Sequence, residues 1–254
     1  MRYILVNFSV FLFSFNVISC AKIDELTGRS SGDSSASSSS DGSTGTYQLA
    51  TNDYANGVAT DSSGNIYVTG GTKGGLDGNT SAGNTDLFML KYNSSGTKQW
   101  TKQLGTSRPE WANGVATDSS GNVYVTGNTY GGLDGNTNAG PFDLFVVKYN
   151  SSGTKQWTKQ MGSSSHDIAY GVATDSSGNV YVAGSTKGDL NKNTNQGSFD
   201  LFVVKFNSFG AKQWTKQLGS TSYDEANGIS TDSSGNVYVA GYTKGGLYGK
   251  HNGG

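Results

Sequence analysis

A period of 57 residues runs through most of the chain and constrains its fold more than any other feature. The pentapeptide Asp-Ser-Ser-Gly-Asn recurs at this interval without a gap. A period this long and this regular indicates repeated supersecondary units, each of which buries its apolar surface against its neighbours. The four copies of the pentapeptide begin at Asp61, Asp118, Asp175 and Asp232.

Each repeat divides into four short strand candidates separated by turn residues. The segment 61–65 predicts a tight turn, because Asp accepts hydrogen bonds from nearby backbone amides and Gly adopts positive φ. A Gly/Asn-rich loop over 74–84 follows the second strand. The third strand is apolar on both faces, which predicts a position inside a stack of sheets. The predicted strands of the first repeat span 57–60, 66–69, 87–90 and 97–104.

Several motifs recur in the same order in each repeat. They are Asp-Ser-Ser-Gly-Asn-Val-Tyr-Val-Thr-Gly, then Gly-Gly-Leu-Asp-Gly, Asp-Leu-Phe-Val-Val-Lys-Tyr-Asn and Gly-Thr-Lys-Gln-Trp. Over about residues 48–254 this order closely resembles the bacterial seven-bladed β-propeller repeat family. The resemblance implies an extracytoplasmic setting and no catalytic residues. The expected fold is all-β, with β-propeller-type tandem repeats of 57 residues and four short antiparallel strands per blade.

The sequence contains three full blades and a partial one. The last repeat reaches His251-Asn252-Gly253-Gly254 before its expected Asp-Leu-Phe segment, while Tyr47 to Ala50 resembles the tail of a fourth strand. A truncated reading frame is the favoured interpretation. The alternatives are an open arc of blades and a ring completed by another copy of the chain.

The N-terminus resembles a bacterial lipoprotein signal. Met1-Arg2 is a short cationic start, and an apolar run from Tyr3 to Ile18 follows it. The run ends in Val17-Ile18-Ser19-Cys20, which is similar to the lipobox and implies lipidation of Cys20. The alternative is an ordinary cleaved signal or an uncleaved anchor.

These features predict three parts and a location. Residues 1–19 form the signal peptide, residues 20–46 a disordered Ser/Gly-rich tether, and residues 47–254 the repeat domain. Within the tether, residues 28–46 contain no branched aliphatic or aromatic side chain to bury. The predicted location is the bacterial cell envelope, at the outer membrane or cell surface, with the membrane bound through the lipid on Cys20. Nucleic acid is not an expected partner, because the formal net charge is −1.

No catalytic, cofactor or metal site is predicted. The histidines His166 and His251 lie outside the repeated framework, and Cys20 is the one cysteine, which excludes an internal disulfide. Ser165-His166-Asp167 spells the letters of a catalytic triad, but neighbouring residues do not converge on one centre.

Two sets of acids are candidates for cation sites. Asp77 and Asn79, with Asp86, and their counterparts Asp134 and Asn136, with Asp143, offer oxygen ligands for calcium. The third copy replaces the acid with Asn191 and adds Lys192, so turn formation is the favoured role. A second set precedes the first strand of each repeat and is expected to form a solvated, turn-capping set rather than a cation-attracting rim. This set is Asp53, Glu110, Asp167 and Asp224.

The repeated tryptophans Trp100, Trp157 and Trp214 are interpreted as packing between blades rather than as platforms for sugars. The function expected from these observations is a non-enzymatic, lipid-anchored binding or scaffold module that recognises protein or glycan through its Gly/Asn loops. One alternative is an extracytoplasmic propeller lyase or hydrolase, which needs polar residues that differ between blades. The other is a non-functional fragment of a longer propeller protein.

Overall fold

The computed structural model describes residues 53–247, which form an all-β fold. Short 3-10 turns at Leu133–Gly135 and Leu190–Lys192 interrupt two of the long loops. The strands are β1 (Tyr54–Thr60), β2 (Ile66–Thr72), β3 (Asp86–Tyr92), β4 (Lys98–Leu104), β5 (Glu110–Thr117), β6 (Val123–Thr129), β7 (Asp143–Tyr149), β8 (Lys155–Met161), β9 (Asp167–Thr174), β10 (Val180–Thr186), β11 (Asp200–Phe206), β12 (Lys212–Leu218), β13 (Asp224–Thr231) and β14 (Val237–Thr243).

The strands form three four-stranded antiparallel sheets and one two-stranded sheet, each in sequence order. The prediction of four strands per repeat, with three full blades and a partial one, is therefore confirmed. Within residues 53–247 the sheets do not close into a ring. The first three strands of the first sheet are longer than predicted, and the fourth begins one residue later, at Lys98. The added length of β1 comes from pairing with β2 that continues through a bulge between Ala55 and Gly57.

The turn between the first two strands is built as its sequence predicts. Asp61 Oδ1 accepts hydrogen bonds from the backbone amides of Ser63 at 2.9 Å and Asn65 at 3.0 Å. Gly64 has φ of 76°, a conformation that glycine adopts without a Cβ clash. The remaining Asp61 oxygen accepts from Tyr67 Oη at 2.9 Å, which ties the turn to the strand that follows.

Consecutive sheets are joined along their first strands. Thr117 Oγ1 donates to the carbonyl of Thr60 at 2.9 Å, and Thr174 Oγ1 donates to the carbonyl of Thr117 at 2.9 Å. Asn56 Nδ2 donates to the carbonyl of Ala112 at 3.0 Å. The first strands therefore form the inner edge of the array and the fourth strands its outer edge, which is the arrangement of blades in a propeller.

The core lies between the sheets. Phe88, Phe145 and Phe202 of the third strands are fully buried, which confirms that these strands are covered on both faces. Trp100 packs against the apolar cluster of the second sheet and Trp157 against that of the third, so their predicted role between blades is confirmed. Each buried aromatic side chain contributes a large apolar area to these junctions.

The N-terminal predictions on Cys20, the signal and the tether lie outside the described residues, as do Tyr47 to Ala50 and His251. Among residues 53–247, no helix has the length and apolar composition needed to span a membrane.

Candidate binding site

The two ends of the sheets differ in how much they vary between repeats. We call the end with the Asp61 and Asn93 turns the turn end, and the end with the β2–β3 loops and the links between sheets the loop end. The turn-end sequences are nearly identical, with Phe209 as the main departure. The loop end carries the chemically divergent positions. One such position is occupied by Tyr54, Trp111, Ile168 and Glu225, and another by Pro109, His166 and Tyr223.

Seven aromatic rings at the loop end form a continuous series, which we call the aromatic row. Its members are half-buried, except that Tyr242 is 43% exposed. Successive ring centroids are separated by 5.4, 3.9, 4.8, 6.5, 4.9 and 5.5 Å. In that order the row is Trp111, Tyr130, Phe142, His166, Phe199, Tyr223 and Tyr242.

The backbone places these rings by the same contact at successive junctions. Phe142 forms a parallel bridge with His166, and Phe199 forms the equivalent bridge with Tyr223. The amide of Asp167 donates to the carbonyl of Phe142 at 3.0 Å. Because each bridge joins the start of a third strand to the link before the next sheet, the row crosses from one sheet to the next.

A polar cluster adjoins the C-terminal part of the row. Tyr223 Oη donates to Glu225 Oε2 at 2.6 Å. Partial burial and the nearby Glu225 carboxylate raise the pKa of Tyr223, and the same two causes raise the pKa of Tyr170. Tyr170 stands where the other three repeats have asparagine. Both phenols therefore remain protonated at neutral pH and act as hydrogen-bond donors rather than nucleophiles.

The prediction that the acids before the first strands are solvated is wrong for the second, third and fourth sheets. Glu110, Asp167 and Asp224 are fully buried. The loop of the preceding link folds over each carboxylate: Thr106 N donates to Glu110 at 2.8 Å, and Ser163 N donates to Asp167 at 2.6 Å. The turn-capping role is therefore retained, but it is performed inside the protein.

The Ser165-His166-Asp167 sequence does not form a triad. The Asp167 carboxylate accepts hydrogen bonds from Ser163 and Thr186, and the His166 ring packs against Phe142.

Two of the candidate calcium ligands, Asp77 and Asp134, have lysine partners on the fourth strands. Asp77 Oδ1 lies 2.6 Å from Lys98 Nζ, and Asp134 pairs with Lys155. Asp77 also has φ of 50°, consistent with its turn-forming role. Asp86 instead accepts from the amide of Ala82 at 2.8 Å. Residues 53–247 contain no group of three or more His, Cys, Asp or Glu side chains able to hold a metal ion.

The aromatic row was not anticipated from the sequence. The 57-residue period is carried by positions that are identical in every repeat, whereas the row occupies positions that differ. Its signal was the replacement of small or polar residues by aromatic ones, as at Thr85, Phe142 and Phe199, which are equivalent positions.

Two curated relatives resemble the chain. The regulatory protein FlaEY of Caulobacter vibrioides is 29% identical over 191 residues, covering 67% of this chain and 20% of the relative. An uncharacterized WD repeat-containing protein, L264 of Acanthamoeba polyphaga mimivirus, is 25% identical over 185 residues, covering 61% of this chain and 13% of the relative. The chain thus spans a fifth or less of the length of these proteins.

A solved structure of a luciferin-regenerating enzyme aligns with a TM-score of 0.40 and 14% identity, over 74% of this chain and 69% of that chain. The family model described as a β-propeller repeat matches residues 48–77, 99–134, 156–191 and 213–249. From the second match onward, each runs from the fourth strand of one sheet through the first two strands of the next. The matches cover more than half of the sequence, and the chain belongs to the β-propeller repeat (SBBP) family.

Proposed function

We propose that this chain is a lipid-anchored, extracytoplasmic binding module that recognises a glycan through the aromatic row. The observation that carries the proposal is the concentration of variable aromatic residues at the loop end of otherwise nearly identical sheets. A rigid repeat scaffold holds such residues in fixed positions, and binding surfaces commonly lie at the loops of such scaffolds.

The chemistry of the row suits a sugar. Half-buried aromatic rings offer flat apolar faces, while polar groups beside them supply directional hydrogen bonds. Asn113 Nδ2 donates to Asn128 Oδ1 at 3.2 Å at this end, and the Tyr170 and Tyr223 phenols lie beside the Glu225 carboxylate. The Gly/Asn-rich loops expected to carry recognition connect the strands at this same end.

Binding is better supported than catalysis. The polar residues that differ between sheets, which an enzyme would require, do gather at the loop end. However, the raised pKa values of Tyr170 and Tyr223 disfavour a nucleophilic phenolate at either residue, and Glu225 is held by the Tyr223 hydroxyl. The names of the two relatives, a regulatory protein and a WD repeat protein, fit a non-enzymatic propeller.

The experiment is titration of the full chain with a panel of soluble polysaccharides, followed by tryptophan fluorescence and calorimetry. Trp111→Ala and Phe199→Ala should each weaken binding, because each removes a ring from the row. Phe209→Ala is the matched control, since this aromatic residue is 84% exposed at the turn end. Equal affinity of all three variants, or binding of proteins and no polysaccharide, would refute the glycan proposal.

The anchor is tested separately through the thiol of Cys20. Cells expressing the full chain with a C-terminal tag are labelled with an alkyne analogue of palmitate, and the protein is recovered from the membrane fraction. Cys20→Ser should abolish labelling and release the protein from membranes, because the thiol forms the thioether to the lipid. Membrane-bound, labelled Cys20→Ser protein would contradict the anchor.

A further inference from the structure

A pair of buried acids lies at each of the three junctions between sheets. One acid begins the third strand of a sheet, the other begins the first strand of the next sheet, and all six are fully buried. A backbone hydrogen bond beside each pair brings the two acids together: at the third junction, the Asp224 amide donates to the carbonyl of Phe199 at 2.8 Å. The pairs are Asp86 with Glu110, Asp143 with Asp167, and Asp200 with Asp224.

The carboxylates of a pair converge on one glycine in the link between the sheets. A Cβ at Gly162 would lie 2.2 Å from Asp143 Oδ1 and 3.0 Å from Asp167 Oδ2. Gly219 holds the equivalent position at the third junction, and a Cβ there would lie 2.0 Å from Asp200 Oδ1. Glycine at this position therefore lets the backbone of the link approach the carboxylates more closely than any other residue would allow.

The third pair receives its hydrogen bonds from neutral donors. Asp200 Oδ2 accepts from the Gln196 amide at 2.9 Å and from Gln217 Nε2 at 3.0 Å. Asp224 Oδ2 accepts from the amide and the hydroxyl of Ser220, at 2.6 and 2.9 Å. The two salt bridges found in the described part of the chain involve other acids. Two carboxylates are thus buried together without a basic partner among the described residues, and buried charges require a counter-charge.

The third pair also has one oxygen on each acid without a hydrogen-bond partner. Asp200 Oδ1 and Asp224 Oδ1 are both buried, and neither accepts a hydrogen bond from the described residues. At the second junction, in contrast, Asp143 Oδ1 accepts from a backbone amide at 3.1 Å, and Asp167 Oδ1 accepts from Thr186. A buried carboxylate oxygen without a donor is destabilising unless a cation takes the place of the donor. Among the three junctions described, both acids lack such a donor only at the third.

We infer that Asp200 and Asp224 bind one calcium ion at the junction of the third and fourth sheets, through Oδ1 of each acid. A divalent cation matches the two negative charges of the pair, and calcium accepts carboxylate, carbonyl and hydroxyl oxygens in an irregular shell. The two acids supply the charged ligands, and neutral oxygens of the 219–223 link and water complete the shell. Because the two acids belong to different sheets, calcium ties the partial fourth sheet to the third. The inference goes beyond the proposed glycan binding and does not depend on it.

The first test is calorimetric titration of the full chain with calcium chloride, after a chelator has removed bound metal. We expect a single site with a dissociation constant of about 0.1 mM, within the range of extracellular calcium modules. Calcium at about 10 mM should also raise the thermal midpoint by about 5–10 °C, whereas sodium chloride of equal ionic strength should not. Absence of either the binding heat or the midpoint shift would overturn the site.

The second test uses variants that keep the shape of the acids and remove their charge. Asp200→Asn combined with Asp224→Asn should weaken calcium binding by at least about a hundredfold. Asp77→Asn combined with Asp134→Asn is the matched control, because it removes two acids from the loops at the same end of the sheets, and it should leave the affinity unchanged. Retained affinity in the first double variant, or equal losses in both, would overturn the assignment.

Hydrogen exchange of the unaltered protein locates the site even if the first double variant does not fold. Calcium should slow the exchange of amides in residues 196–200 and 219–225. Residues 139–143 and 162–168 of the second junction are the internal control and should not change, because every carboxylate oxygen of that pair already has a donor. Protection centred on the β2–β3 loop, or equal protection at the second and third junctions, would overturn the inference.

Discussion

The repeated turn between the first two strands provides the sharpest test of the energetics, because one turn occurs in environments of different burial. In the second sheet, Asp118 accepts hydrogen bonds from the amides of Ser120 and Asn122, the Asn122 side chain and Tyr124 Oη, at 2.8 to 2.9 Å. Tyr124 is fully buried and Asp118 is 9% exposed. Asp118→Ala removes a charged acceptor and leaves the Tyr124 hydroxyl buried without this partner.

Hydrogen bonds to charged groups contribute about 1.5–3 kcal/mol each, and their effects within one network do not add fully. We therefore expect Asp118→Ala to lower the free energy of unfolding by about 3 kcal/mol. Urea denaturation followed by tryptophan fluorescence, with hydrogen exchange of β5 and β6, measures this loss. In a Tyr124→Phe background the loss should be smaller by about 1–2 kcal/mol, since no buried hydroxyl is then left unsatisfied.

The fourth sheet supplies the matched control for this prediction. Asp232 makes the same set of hydrogen bonds, but its partner Tyr238 is 41% exposed. Water can replace the lost acceptor there, so Asp232→Ala should cost less than Asp118→Ala. Equal local destabilisation of the two turns, measured by hydrogen exchange of their own strands, would refute the role assigned to burial.

Two further predictions concern a close backbone approach and a buried acid. A Cβ at Gly127 would lie 1.8 Å from the carbonyl oxygen of Trp111, whereas at Gly228 the nearest atom is 3.9 Å away; Gly127→Ala should therefore lower the thermal midpoint by more than about 10 °C and Gly228→Ala should not, in scanning calorimetry. Burial raises the pKa of Glu110. The Asp86 charge adds a smaller increase, whereas the hydrogen bonds from Thr106 oppose it. The folded protein thus binds this proton more tightly than the unfolded chain, and Glu110 contributes a gain in stability as the pH falls from neutral towards the ordinary glutamate pKa of 4.5. Glu110→Gln should remove that contribution, and an unchanged slope of stability against pH would contradict it.

The sequence predicted the parts of the fold that depend on local chemistry and on periodicity. The Asp61 turn followed from residues within five positions of one another, and the doubly buried third strand followed from the apolar run at Leu87 to Leu90. Trp100 was correctly assigned to packing, because its recurrence once per repeat matched the spacing of the sheets.

Other features depend on contacts between repeats and could not be read in the same way. Glu110 resembles a surface turn residue in sequence, but the link that begins at Thr106 folds over it and supplies its hydrogen bonds. The aromatic row joins residues such as Phe142 and His166 through bridges between adjacent sheets. Their neighbourhood is set by how sheets pack, which a period alone does not specify.

The central claim is that the aromatic row at the loop end forms the ligand-binding surface. It is tested most directly by recording two-dimensional amide NMR spectra of the isotopically labelled full chain during titration with the soluble polysaccharide that binds most tightly in the panel. The account predicts that the largest shift changes occur at Trp111, His166, Phe199 and Tyr223. Shift changes centred on the Asp-Ser-Ser-Gly-Asn turns or on Phe209 would place the binding surface at the turn end and contradict the account.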